Sequence, residues 1–270
     1  MSTPPPDRPR AADFLATNRG GGLLSEAVDQ PVGARIALAG HRLGLAPSAL
    51  TVVNLVIGVG TSFAVVALAG PMRDGRVPAL AVGLGALVAW HIAYQFDCAD
   101  GQLARVTRRT SAVGARLDIL CDVAVQIALV CAVSAVAVRY RPGTPAWFVA
   151  AFAGCWMINL VTSVLATGAQ AQSLVTSTSL PVRVVKLVRD YGAMITLMAL
   201  AIAFVPKWLV WVMVASTAVN ALFLLASIAA ATASSLRVPP PAEPAPPAEP
   251  AEPPSGAGGT APGTTGTTSS

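Results

Sequence analysis

Six apolar stretches, at roughly 49–70, 78–97, 113–138, 145–169, 191–206 and 208–233, take up most of this 270-residue chain. Several approach the roughly 20 residues that a helix needs to cross the hydrocarbon of a bilayer. Backbone amides in lipid must be satisfied within the chain, so only helices or a closed barrel can span it. The stretches lack the apolar/polar alternation of barrel strands. Only 11% of the residues are charged, against roughly a quarter in soluble domains. The pattern predicts an all-α membrane protein with six transmembrane helices.

The flanks are of another kind. The first residues, "MSTPPPDRPRAADF", are polar and Pro-rich. They hold no apolar signal core, so no cleaved secretory peptide is expected, and residues 1–20 read as a flexible terminus. The stretch "GGGLLSEAVDQPVGARIALAGHRLGLAP" is mildly amphipathic and carries Arg35, His41 and Arg42. It reads as an amino-terminal interfacial helix, with a plain surface loop as the alternative for residues 20–30. The membrane domain then takes residues 21–236. Residues 237–270 repeat Pro-Ala-Glu and turn Gly/Thr-rich; with nothing to bury, this tail is expected to be disordered. Cys98, Cys121, Cys131 and Cys155 show no CxxC spacing and read as buried thiols. His41 and His91 read as interfacial and bundle-facing polar residues, not metal ligands.

Orientation follows from the basic residues. With the amino terminus inside, the outer segments keep Arg73, Arg76, Arg139, Arg141 and Lys207, which leaves 13 of the 18 Lys and Arg on the cytoplasmic side. Both termini and the cytoplasmic ends of the second and third spans are then placed together.

Between Leu50 and Ser235 there is no Glu, and the acids are Asp74, Asp97, Asp100, Asp118, Asp122 and Asp190. Four of them flank two span ends. Carboxylates near hydrocarbon are costly to bury and are functional when present. Asp97 and Asp100 are three apart and share a helix face; Asp118 and Asp122 are four apart and share another. If the two helices are neighbours, the four converge. Oxygen donors without Cys or His suit a hard cation, Mg²⁺ or Mn²⁺, and two ions balance four charges better than one. Gly101, Ala104 and Gly114 keep the same faces low, and Arg105 lies one turn beyond Gly101, where a guanidinium can fork onto phosphate. A dense metal pocket with such an arginine points to phosphoryl transfer. The competing class is an ion- or proton-coupled transporter, in which the acids line a path. Arg108 and Arg109 read as positive-inside anchors, and Arg116 faces either the pocket or the headgroups.

The series Asp97-x2-Asp100-Gly101-x2-Ala104-Arg105-x8-Gly114-x3-Asp118-x3-Asp122 resembles, at every fixed position, the signature of the CDP-alcohol phosphotransferase family. The six-span pattern is similar to that family too, over about residues 35–235. In "GLAPSALT", Pro47 and Thr51 match the family's usual entry to the first span, and Ser48 replaces its Asn. The resemblance implies that a CDP-linked lipid or alcohol yields its phospho-linked group to an acceptor hydroxyl, with release of CMP, in phospholipid biosynthesis. It implies metal binding by Asp97, Asp100 and Asp118, with Asp122 completing the metal cluster and also serving as general base, and a nucleotide site at Gly101, Ala104 and Arg105. It also implies membrane lipids and a homodimer as partners, with no nucleic acid.

Arg183, Lys186 and Arg189 recur at spacing three in "LPVRVVKLVRDYG". They form a basic stripe that either anchors on anionic lipid or holds the phosphate of an acceptor, as in relatives with phosphorylated acceptors. Asp190 is expected to pair with one of these bases or to bind a substrate hydroxyl. Inositol phosphate, glycerol phosphate and serine all remain open as acceptors.

Overall fold

The structure, a computed structural model, describes residues 9–18, 22–165 and 190–236. Among these residues every regular element is a helix. In chain order they are α1 (Ala11–Leu15), a π-helical turn (Ser25–Asp29), α2 (Gln30–Arg42), α3 (Pro47–Arg73), α4 (Ala79–Val106), α5 (Ala112–Tyr140), α6 (Ala146–Leu165), α7 (Tyr191–Phe204), a 3₁₀ turn (Pro206–Trp208) and α8 (Leu209–Ser235). The contacts discussed below lie within the unit that ends at Ala229.

The helix ends follow local chemistry. α3 opens on Pro47, whose fixed φ suits the first helical position and whose missing N–H is not needed there. Gly44, with φ of 69°, ends α2 by a tight reversal in which Leu45 N–H bonds to the Gly40 carbonyl at 2.9 Å. The Ser111 hydroxyl caps α5 by accepting from Gly114 N–H at 3.0 Å. Asp190 caps α7 by accepting from Gly192 N–H at 3.1 Å.

One boundary differs from expectation. The second apolar stretch spans 78–97 in the sequence, yet α4 continues to Val106. Hydropathy falls after Phe96, but no Pro interrupts the run, and a single glycine, Gly101, costs only about 1 kcal/mol. The whole segment from Asp97 to Arg105 is therefore helical.

Among the described residues, four helices are long and apolar enough to cross a membrane: Pro47–Arg73, Ala79–Val106, Ala112–Tyr140 and Pro206–Ala233. The part of α6 from Ala146 to Ile158, and α7, are shorter apolar helical segments. Large apolar side chains such as Val56, Phe63, Val88, Leu222 and Leu225 are exposed along these helices, while Asn54, Ser62, Asp100 and Gln126 are buried. That inside-out distribution suits hydrocarbon surroundings, and the chain is a multi-pass membrane protein.

α3 packs most extensively on α4 and α5, and α4 also packs on α2 and α7. Trp90, Leu129, Val133, Phe152, Ile195, Met198 and Ile202 form the main core. Inside it the Trp90 indole donates to the Ser62 hydroxyl at 3.0 Å, so neither polar group is left unpaired in an apolar setting. A second cluster joins Phe14, Ala34, Ala37, Leu50, Ala99 and Leu103. Part of the segment read as a flexible terminus is thus helical: Phe14 of α1 is 0% exposed against the back of α4. α2 closes on the same surface because Gly33 has no Cβ; one built there would stand 2.9 Å from the Cys98 Cβ.

Candidate active site

α4 and α5 position the four aspartates. Asp97 and Asp100 lie in the last three turns of α4; Asp118 and Asp122 lie in the second and third turns of α5. One carboxylate oxygen from each of Asp97, Asp100 and Asp118 falls within 4.8 Å of the others. Asp122 stands outside that trio, and its carboxyl group interacts with that of Asp97.

Two donors from α3 meet these acids. The Thr51 hydroxyl donates to Asp100 Oδ2, and the Asn54 amide donates to Asp97 Oδ1 at 3.1 Å. Asp100 is 4% exposed, so its orientation depends on that hydroxyl rather than on solvent. In the sequence Thr51 stands out only as an entry residue, and Asn54 does not stand out at all. The available signal was their spacing of three in an otherwise apolar span, which puts both on one face of α3.

A cavity of about 210 Å³ adjoins the acids. Its walls are Pro47, Ser48 and Thr51 of α3; Asp100, Gly101, Ala104 and Arg105 of α4; Arg109, Thr110 and Ser111 of the α4–α5 loop; and Gly114, Ala115 and Asp118 of α5. Gly101, Ala104 and Arg105 are thus brought together at the cavity with two of the acids. Gly101 clears room for the arginine itself: a Cβ there would stand 3.0 Å from one terminal nitrogen of Arg105 and 3.3 Å from the other. From that folded position the guanidinium acts electrostatically on Asp118. Gly114 makes room for the Ser111 cap, whose hydroxyl would lie 3.1 Å from a Cβ at 114. Arg116 is exposed and does not line the cavity.

The donor set fits a divalent ion. It offers hard carboxylate oxygens from three aspartates. Among the described residues, Asp118 Oδ1 is buried with no hydrogen-bond partner, which is costly unless a cation approaches it. Cys98 packs against α2, and Cys121 is a buried free thiol.

The acceptor candidates divide. Arg183, Lys186 and Arg189 lie outside the described residues. Asp190 is 2% exposed. One of its oxygens accepts from the Leu24 and Ser25 amides at 2.5 and 3.1 Å, and the other from the Ser25 hydroxyl and the Gly192 amide. Its carboxylate therefore ties the π-helical turn to α7. Next to it, His91 contacts Asp29 Oδ1 through Nδ1 and Thr196 Oγ1 through Nε2, each at 2.9 Å. This polar layer was not foreseen from the sequence, because its partners come from segments far apart in the chain.

The family model described as CDP-alcohol phosphatidyltransferase matches residues 44–222, which includes α3, α4, α5 and all four aspartates. The chain belongs to this family. CDP-alcohol phosphatidyltransferases are transferases of phospholipid biosynthesis that move a phosphatidyl group from a CDP-alcohol to an alcohol acceptor, generally with a divalent metal. A search of curated proteins finds no significant match to the chain. α1, the π-helical turn and α2 precede the CDP-alcohol phosphatidyltransferase match, yet they pack on the helix that carries its first two aspartates.

Proposed function

We propose that the protein transfers a phosphatidyl-type group from a CDP-linked lipid such as CDP-diacylglycerol to an acceptor hydroxyl, releasing CMP. The observation that carries this reading is the convergence of Asp97, Asp100 and Asp118 within 4.8 Å beside a cavity walled by Gly101, Ala104 and Arg105. These three aspartates would hold Mg²⁺ or Mn²⁺, with Asp122 completing the cluster and two ions best matching its charge. Such ions neutralise a diphosphate and stabilise charge on a leaving phosphate. Asp122 is the general base: it takes the proton of the acceptor hydroxyl as that oxygen bonds to the lipid-side phosphorus. The bond from this phosphorus to the bridging oxygen breaks, and its electron pair leaves with CMP.

The acceptor in this reading is a phosphorylated polyol, inositol phosphate or glycerol phosphate, held by Arg183, Lys186 and Arg189. Asp190 is left out of that site because four protein donors already engage its carboxylate. Six spans, with α6 and α7 completing the set, and a surface-lying α2 fit the apolar pattern. The excess of basic residues puts both termini and the site on the cytoplasmic side. No feature among the described residues favours the transporter reading.

Purified protein supplied with CDP-diacylglycerol, Mg²⁺ and a panel of inositol phosphate, glycerol phosphate and serine should release CMP only when its acceptor is present. No CMP release with any member of a broad donor and acceptor panel would overturn the reading; release with serine alone would replace the phosphorylated acceptor.

A further inference from the structure

Arg108 is the one non-glycine residue with positive φ among the described residues, at 55°. A side chain in that left-handed region costs roughly 1–2 kcal/mol. It persists here because it closes α4: Arg108 N–H bonds to the Arg105 carbonyl at 3.3 Å, and Arg109 N–H bonds to the Ala104 carbonyl at 2.9 Å. The reversal sends the next residues back along the cavity, so that Arg109, Thr110 and Ser111 form part of its wall.

The two arginines of this wall are in different situations. Arg105 folds over Gly101 and acts on Asp118. Arg109 is exposed, and its side chain has no hydrogen bond or ion pair among the described residues. A fork of donors that lines the same cavity as Asp100 and Asp118, and that is not spent on those acids, is placed to meet a phosphate oxygen.

We propose that Arg109, a residue at a variable position of the motif, binds the phosphate of the CDP-linked donor that departs with CMP. This rests on the transferase reading above. Arg109 then supplies a forked contact to the nucleotide in the cavity that Arg105 also lines. The contact is present with donor and with CMP alike, so its loss should weaken binding of both and leave the acceptor unaffected.

The test is calorimetric binding of CMP to purified protein in the presence of Mg²⁺, together with steady-state kinetics on CDP-diacylglycerol. Arg109→Gln should raise the Kd of CMP and the donor KM by roughly tenfold or more, the size of a lost charged hydrogen bond, while the acceptor KM stays within about twofold. Arg109→Lys keeps the charge but loses the fork, and should fall between wild type and Arg109→Gln; it carries the test if the glutamine variant does not fold. A folded Arg109→Gln with wild-type CMP affinity and donor KM overturns the assignment, as does a rise confined to the acceptor KM. Wild-type protein that binds no CMP overturns the transferase reading and this assignment together, whereas wild-type binding with an unaffected Arg109→Gln overturns this assignment alone.

Discussion

Asn54 of α3 donates its side-chain amide to Oδ1 of Asp97 on α4 at 3.1 Å. One turn earlier on the same face, Thr51 donates to Asp100. The first span carries no carboxylate of its own, yet it fixes the direction in which two of the metal candidates point. Partners that orient a ligand support its affinity, because an acid free to rotate must be ordered again at each binding event.

Thr51→Val and Asn54→Leu keep shape and remove these donors. Each should raise the Mg²⁺ concentration for half-maximal CMP release by about 10- to 100-fold. Direct Mn²⁺ binding, followed by electron paramagnetic resonance, should weaken in parallel. Unchanged metal affinity in both variants would mean that the two hydrogen bonds do not orient the acids.

Removal of the metal should abolish turnover. Three carboxylates within 4.8 Å repel one another, and Asp118 Oδ1 lacks a partner among the described residues. EDTA should stop CMP release, and Mg²⁺ or Mn²⁺ should restore it. Full activity in metal-free buffer would show that the cluster serves some other purpose.

Asp122 interacts with Asp97 but stands outside the trio. Asp122→Asn should therefore lower turnover by at least ~10², the size of a lost general base, while CMP binding persists. Asp97→Asn and Asp100→Asn should weaken metal and nucleotide binding as well. Near-wild-type turnover in Asp122→Asn would assign the base elsewhere.

Lys186→Gln and Arg189→Gln separate the two roles of the basic stripe. A phosphate site predicts a strong rise in the acceptor KM with little change for the CDP-lipid. Lipid anchoring predicts small effects on both substrates that depend on anionic lipid content. Kinetics in neutral and anionic liposomes distinguish these outcomes.

Phe14 is fully buried among Ala34, Ala37, Leu50, Ala99 and Leu103. Phe14→Ala should destabilise this cluster by about 3 kcal/mol or more. Hydrogen exchange at residues 11–18 should accelerate, since α1 has only five helical residues and depends on that anchor. Unaltered exchange there would show that Phe14 does not hold α1 in place.

The sequence by itself determined what is written in local periods. Apolar runs of membrane-crossing length predicted helices, and helices are what the described residues contain. Spacings of three and four put Asp97 with Asp100 and Asp118 with Asp122, and the fixed motif tied them to one family, which the match over residues 44–222 bears out. Hydropathy failed at the end of the second span, because a helix that leaves the hydrocarbon loses its apolar signal without losing its hydrogen bonds; α4 ends at a left-handed Arg108, not where the polarity changes.

Only the tertiary structure decided which groups meet across the chain. Thr51 reaches Asp100 over 49 residues, Asn54 reaches Asp97 over 43, and Ser25 reaches Asp190 over 165. No helical period encodes such separations; they depend on which faces pack together. The same packing turned Asp190 from a substrate candidate into a strut between two segments, and it folded Arg105 inward over Gly101 while Arg109 stayed at the cavity rim. Residue type and spacing name the chemistry a helix face can offer, but a side chain's partner is set by the neighbouring helix, whose approach is governed by where glycine and alanine allow close contact.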